Sequence, residues 1–295
     1  MEYFLQQAVN GVALGSVYAL LALGVTLVWG VLNVLNFSHG MFVTWGAFGT
    51  YEAMQVGAPA LLATLIGLTV GALLAVALER LVLAPLRAAG AVDEFSQVVA
   101  TIGVSMVLLS CVRWFVSADI ETMPTAGFPS GNVDIAGITV PKLQLLVLIT
   151  AVAVMAVLGA FLARTRLGRE MRAVAFSAEI AQLLGINARR VYITAFAVSG
   201  ALAALAGTFV AVQARTLSYS TGDTLLTLTF AAVVVGGMGS VKGAVVGGLT
   251  LGVGEVVLSA YTTTGFNDAI PFVLMAAVLL LKPQGLFAAK EVARV

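Results

Sequence analysis

The sequence predicts an all-α, polytopic membrane protein with about 8–9 transmembrane or part-spanning helices and an inverted internal repeat. Of its 295 residues 60% are hydrophobic and 10% charged, and the mean hydropathy is +1.05. Its apolar runs are as long as a bilayer is thick, about 20 residues each. They also lack the inward-polar, outward-apolar alternation of a barrel strand. Only helices and closed barrels satisfy their backbone hydrogen bonds in lipid, so the missing alternation selects helices.

Taken in order, spanning helices are expected at 5–29, 38–55, 59–83, 97–117, 142–164 and 191–214. The opening MEYFLQQAVNG has neither the basic start nor the small-residue cleavage site of a signal peptide, so the first apolar block is read as a retained span. Residues 224–260 form one long apolar tract broken by GGMGSVKG at 236–243, and a last helix is expected at 268–282. The front of the broken tract is too short to span comfortably. Such a segment is tolerated at membrane depth only where protein or a cavity surrounds it.

Orientation follows from Lys and Arg, which stay on the cytoplasmic side in short loops. The segment 164–190 holds Arg164, Arg166, Arg169, Arg172, Arg189 and Arg190 against Glu170 and Glu179. Arg80 and Arg87 mark the connector 80–96, and Lys282, Lys290 and Arg294 mark the tail. Between Ser117 and Pro141 lie Asp119, Glu121 and Asp134 with no Lys or Arg before Lys142. This places 164–190 and the tail inside, the acidic segment outside and the N-terminus outside.

The formal net charge of +1 is spread along the chain, which argues against nucleic acid as a partner. A lone Cys111 excludes an internal disulfide, and one His with one Cys makes no standard zinc site. No G-x-x-x-x-G-K-[ST] loop or Ser, His, Asp set is present. Neither cofactor nor metal is therefore expected. No catalytic constellation is legible in the sequence.

Two stretches align within the chain. L-N-F-S-H-G-M-F-V-T-W-G-A-F from Leu35 matches L-S-Y-S-T-G-D-T-L-L-T-L-T-F from Leu217 at Leu, Ser, Gly and the final Phe. Each follows an apolar helix and opens another, one expected at the cytoplasmic face and the other at the outer face, the parity of an inverted repeat. The repeat halves are then 1–160 and 191–285, within one membrane domain covering 1–295. Asn36 and Ser38 carry oxygens suited to capping unpaired N–H groups at the second helix start. A sharper reading has that start, with His39 and Gly40, facing a translocation route where its N–H groups meet a carboxylate. His39 is read as a structural hydrogen-bonding residue, with proton relay and substrate ligand as alternatives.

In GGMGSVKG, Gly236, Gly237 and Gly239 allow close approach and positive φ, while Ser240 caps the next helix. This stretch suits a pathway wall or a plain helix break. The spacing of Gly243, Gly247, Gly248 and Gly252 suits close helix packing. Glu255, in the same helix, is either a functional intramembrane carboxylate or one reaching the interface. In the cytoplasmic loop, Met171, Val174, Ala175, Ile180, Leu183 and Leu184 alternate with charges, which fits either a groove on a partner or an anionic lipid surface.

NGVALGSVYALLALGVTLVWG, LNFSHG, GREMRAVAFSAEIAQLLGIN, FAAVVVGGMGSVKGAVVGGLTLGVGE and LLLKPQGLF, in that order over nearly the whole chain, resemble the permease subunits of bacterial ABC importers for branched-chain amino acids, of the H-subunit type. The resemblance implies an inner-membrane subunit working with a second, related permease, two cytoplasmic ATPases and a periplasmic binding protein. It also implies a coupling role for the loop 165–190 with Arg169, Glu170 and Arg172. There Glu179, Ala181 and Gly185 match the family's E-A-A-x-x-x-G, with Ile180 in place of its middle Ala. The implied activity is import of branched-chain or related amino acids by ATP-driven alternating access. A permease for urea or short-chain amides shares these motifs, and a proton-coupled carrier or channel using His39 is the alternative from another class.

Overall fold

Glu2–Leu32 forms one 31-residue helix, α1, which contains the apolar block expected at 5–29. The computed structural model describes residues 2–90, 93–116, 118–135, 137–262 and 269–287. After α1 come α2 (His39–Gln55) and α3 (Ala60–Leu78). The latter continues through a π-helical turn at Glu79–Leu83 into α4 (Ala84–Ala88), where Pro85 sits in the first turn. Next are α5 (Glu94–Phe115) and α6 (Lys142–Arg164). Two short helices follow, α7 (Arg166–Phe176) and α8 (Ala178–Leu183). The chain closes with α9 (Ala188–Ala214), α10 (Thr221–Gly236), α11 (Val241–Ser259) and α12 (Ile270–Leu281).

Among the described residues six helices are long and apolar enough to cross a membrane, and α2, α10 and α12 are shorter. The protein is thus a polytopic helical membrane protein. The expected tract 224–260 resolves into α10 and α11, and the last helix into Ile270–Leu281. The tail cations Lys290 and Arg294 lie outside the described residues. Extended structure is confined to short pairs: β1 (Glu121–Thr122) lies antiparallel to β4 (Thr216–Leu217), and β2 (Asn132–Ile135) to β3 (Ile138–Pro141).

The distance in sequence from His39 to Thr221, 182 positions, recurs through the backbone. Leu32 ends α1 and Ala214 ends α9. Asn33 (φ 53°) and Arg215 (φ 56°) follow them in the left-handed region, the two non-glycine residues with positive φ among those described. His39 and Thr221 open α2 and α10, and Gly57 and Gly239 turn the chain at φ 86° and 81°. Ala60 and Val241 then open α3 and α11, one residue from the same spacing. A left-handed residue after a helix ends it and reverses the chain, so each long helix is followed by a short segment that folds back.

Small residues set how closely these elements approach. A Cβ on Gly252 would lie 2.2 Å from the Cα of Gly15, and one on Gly248 2.4 Å from the nitrogen of Ala19, which fixes α11 against α1. One on Gly200 would lie 2.3 Å from the carbonyl oxygen of Gly71, which fixes α9 against α3. This is the close-packing role expected for the glycines of α11, since lipid supplies no hydrophobic drive for helix association. Between the two pairs sit α2 and α10. Their first turns touch: a Cβ on Gly222 would fall 1.9 Å from the carbonyl oxygen of Gly40. The two helix starts, expected at opposite membrane faces, are therefore together. The reversals at Asn33 and Arg215 carry residues 33–38 and 215–220 back into the protein, a turn that hydropathy does not reveal.

Where α3 passes into α4, Glu79 is buried and pairs with Arg87. The Arg87 guanidinium lies 4.8 Å from the ring centre of Tyr192 on α9. A buried ion pair survives only with close partners, and here the aromatic face completes the surroundings of the cation.

If the Gly40–Gly222 contact holds α2 against α10, Gly222→Ala should destabilise the protein by about 1–3 kcal/mol through overpacking. Gly103→Ala, where an added Cβ meets nothing within 4 Å, should be neutral. Thermal unfolding of the detergent-solubilised protein checks both. Equal melting temperatures for the two variants would contradict the contact.

Candidate functional site

Two regions concentrate the polar chemistry: the junction of α2 with α10, and the arginine-rich loop α7–α8. At the junction the Asn36 side-chain oxygen accepts from the Ser38 N–H at 3.0 Å, closing a local turn. Ser38 does not cap α2 with its side chain. Its hydroxyl instead donates to the carbonyl oxygen of Thr101 on α5 at 2.6 Å, and the Thr101 hydroxyl accepts from the Phe37 N–H at 3.2 Å. The motif is thus tied to α5, a partner that local sequence cannot name.

His39 is buried and turned inward. Its Nδ1 lies 3.3 Å from the Ser199 hydroxyl on α9, and its ring edge lies where a Cβ on Gly24 would be, at 2.8 Å. Gly24 is therefore a glycine because the imidazole occupies that space. Across the junction the Thr44 hydroxyl accepts from the Gly222 N–H at 3.0 Å, so a side chain of α2 satisfies an N–H at the start of α10. Asn36, Ser38, His39 and Gly40 are all buried within this one chain.

In GGMGSVKG, Gly237 and Gly239 adopt φ of 98° and 81°. Gly236 packs on the backbone of Gly243, and the Ser240 hydroxyl caps α11 by accepting from the Gly243 N–H at 3.1 Å. The end of α10 has a second support. The N–H groups of Leu286 and Phe287 donate to the carbonyls of Val235 and Gly236, both at 2.9 Å. The PQGLF segment thus seals the glycine turn, a link between distant motifs that the sequence did not predict. Glu255, near the end of α11, accepts from the Tyr18 hydroxyl at 3.0 Å and is half-buried. The structure keeps it apart from the junction residues.

The loop is built differently. The Thr165 hydroxyl caps α7 at the Gly168 N–H and the Ser177 hydroxyl caps α8 at the Ile180 N–H, so two helices form where one amphipathic segment is expected. Gly168 has no room for a side chain, because a Cβ would lie 2.3 Å from the carbonyl oxygen of Leu162. Arg172 and Arg169 donate to the carbonyls of Leu162 and Arg164, and Arg166 pairs with Glu170 at 3.0 Å. Arg169 and Arg172 therefore fasten α7 to the end of α6, whose last carbonyls lack intrahelical donors.

The apolar residues of the loop divide. Met171, Val174 and Ala181 are buried against Leu27, Val31, Val191 and Ala195. Phe176, Ile180, Leu183 and Leu184 stay exposed, Leu183 at 87%. Gly185 ends α8 at φ 81°, its N–H bonded to the Gln182 carbonyl and the Ile186 N–H to the Ala181 carbonyl. This is a complete left-handed helix stop, so Ala181 and Gly185 are the buried floor and the turn of α8, with Glu179 exposed beside them.

A family model described as the permease component of branched-chain amino acid transport systems matches residues 7–279. The chain is 31% identical to the high-affinity branched-chain amino acid transport system permease protein BraD of Pseudomonas aeruginosa, over 99% of this chain and 98% of that protein. It is 32% identical to the corresponding LivH of Escherichia coli, again over 99% and 98%. A probable LivH of Methanocaldococcus jannaschii is 28% identical over 90% of this chain and 87% of its own length. No solved structure matches.

Because Gly185 sits in the left-handed region, Gly185→Ala should cost about 1–2 kcal/mol locally and loosen the α8 stop, whereas Gly185→Asn should be tolerated. The rate of tryptic cleavage after Arg189 and Arg190 checks this. It should rise for the alanine variant and change little for the asparagine variant.

Proposed function

The chain belongs to the family of permease components of branched-chain amino acid transport systems, and we propose that it is the membrane-spanning subunit of a bacterial ABC importer for branched-chain or closely related amino acids. On this reading it lies in the inner membrane with its N-terminus outside and its tail inside, in line with the excess of arginine in 164–190. It works with a second, related permease, two cytoplasmic ATPases and a periplasmic binding protein. Hydrolysis belongs to the ATPases, and this chain supplies the route.

The observation that carries the coupling reading is the exposed apolar knob of α8. Ile180, Leu183 and Leu184 project beside Glu179, while Arg169, Arg172 and the caps at Thr165 and Ser177 hold the loop rigidly to α6. A short helix bolted to the spans and apolar on its outer side suits insertion into a groove of an ATPase. Motion of that helix passes to α9 through the buried Met171, Val174 and Val191 cluster. The two halves, 1–160 and 191–285, then rearrange about the junction of α2 with α10. Asn36, Ser38, His39 and Gly40 sit at the pivot of this motion. Gly236, Gly237, Gly239 and Ser240 form its inner turn, and Glu255 anchors the outer end of α11 to α1 through Tyr18.

In proteoliposomes holding the assembled transporter, leucine uptake from its binding protein should require ATP. Leu183→Asp with Leu184→Asp should lower both ATPase copurification and uptake by about tenfold or more, with little change in thermal unfolding because both side chains are exposed. Uptake by this chain alone under a proton gradient would contradict the importer reading. Full uptake by the variant would contradict the coupling reading.

A further inference from the structure

The 182-residue equivalence exposes an asymmetry between α2 and α10. Ser38, just before α2, and Trp45 within it correspond to Ser220, just before α10, and Thr227 within it. In the first half α5 covers this face: Ser38 donates to the Thr101 carbonyl, and the Trp45 indole N–H donates to the Leu108 carbonyl at 3.2 Å. In the second half no described element covers the corresponding residues. Ser220, Asp223, Thr224 and Thr227 are all exposed, and their spacing puts them on one face of α10.

That face lies deep along the bundle. Gly222 touches Gly40, whose neighbour His39 packs against Gly24 of α1 and Ser199 of α9. At 1.5 Å per residue, Gly24 is about 12 Å from the nearer end of α1 and Ser199 about 16 Å from the nearer end of α9. Asp223 therefore stands at bilayer depth, and its carboxylate has no hydrogen-bond or ion-pair partner among the described residues. An ionised carboxylate and three hydroxyl residues turned towards acyl chains would be strongly unfavourable. Such groups face a bundle interior or a water-filled cavity. The opposite case is α6, whose exposed Ile149, Val152 and Val157 are apolar throughout.

We propose that the Ser220, Asp223, Thr224 and Thr227 face of α10 is a wall of the substrate route in the assembled transporter, and that Asp223 pairs with the ammonium group of the amino acid in passage. The proposal rests on the importer reading above. It assigns the cationic end of a zwitterionic substrate to the one carboxylate on that face, while the hydroxyls supply neutral hydrogen-bonding sites along it. The position filled by α5 in the first half is left open in the second for water and cargo.

The test uses the complete transporter in nanodiscs with Cys111→Ser as background. Thr224→Cys and Thr227→Cys are treated with a charged, water-soluble thiol reagent beside Val157→Cys as a lipid-facing control. Thiolates form in water and are suppressed in apolar surroundings, so the two α10 variants should react at least about tenfold faster than the control. Reaction as slow as the control would overturn the wall. Leucine should slow labelling of Thr224→Cys, whereas 4-methyl-2-oxopentanoate, which lacks the ammonium group, should not. Adding Asp223→Asn should abolish the leucine effect and Asp223→Glu should retain part of it. Equal protection by leucine with Asp223→Asn would overturn the pairing. The reading beneath it fails separately, as absence of leucine uptake by the unaltered complex.

Discussion

The backbone contact between Gly40 and Gly222 is the constraint on which the rest of this molecule depends. Each glycine is the second residue of its helix, and neither position accepts a Cβ without displacing the other's carbonyl. The contact joins positions 182 residues apart, the spacing that recurs in the helix ends and turns. Around it the remaining pairs fall into place: α1 with α11 through Gly15 and Gly252, and α9 with α3 through Gly200 and Gly71. Helix association in lipid depends on packing and interhelical hydrogen bonds, so a repeat built on paired glycines is a means of fixing two halves by shape. The Thr44 hydroxyl on the Gly222 N–H and the Thr50 and Thr208 hydroxyls, 2.9 Å apart, add polar links across the same core.

Much of this was legible in the residues. Hydropathy located the long helices, because about 20 apolar residues have few other uses, and the match of LNFSHG with LSYSTG picked out the two helix starts that touch in the structure. Depth was not legible. The sequence places a helix start after a helix end, but whether the chain returns into the bundle depends on one left-handed residue, and neither Asn33 nor Arg215 is a glycine that would advertise it. Ser38 shows the same limit: its residue type suits a cap, but a carbonyl of α5 lies within reach and takes the hydroxyl.

The loop between α6 and α9 was legible in composition and less so in form. Its amphipathic pattern was visible, but the division of the apolar residues was not, because an extended Ser177 breaks the segment into two helices. Met171, Val174 and Ala181 are consumed in attaching the loop, and Ile180, Leu183 and Leu184 are left over. Arg87, counted in the sequence only as a marker of sidedness, is in the structure the partner of buried Glu79 and lies against Tyr192 of α9. Asp223 escapes a hydropathy reading because the apolar tract begins at residue 224, one position after it.

The central claim is that the two helix starts meet inside the protein, and a distance measurement reaches it most directly. Nitroxide labels at Phe37→Cys and Ser220→Cys, with Cys111→Ser, would report their separation in a lipid bilayer by dipolar electron paramagnetic resonance. Because Gly40 and Gly222 touch, the account predicts a separation below about 20 Å, given at most about 3.6 Å per intervening residue. A separation of about 30 Å, the thickness of the hydrocarbon core, would place the starts at opposite faces and contradict it.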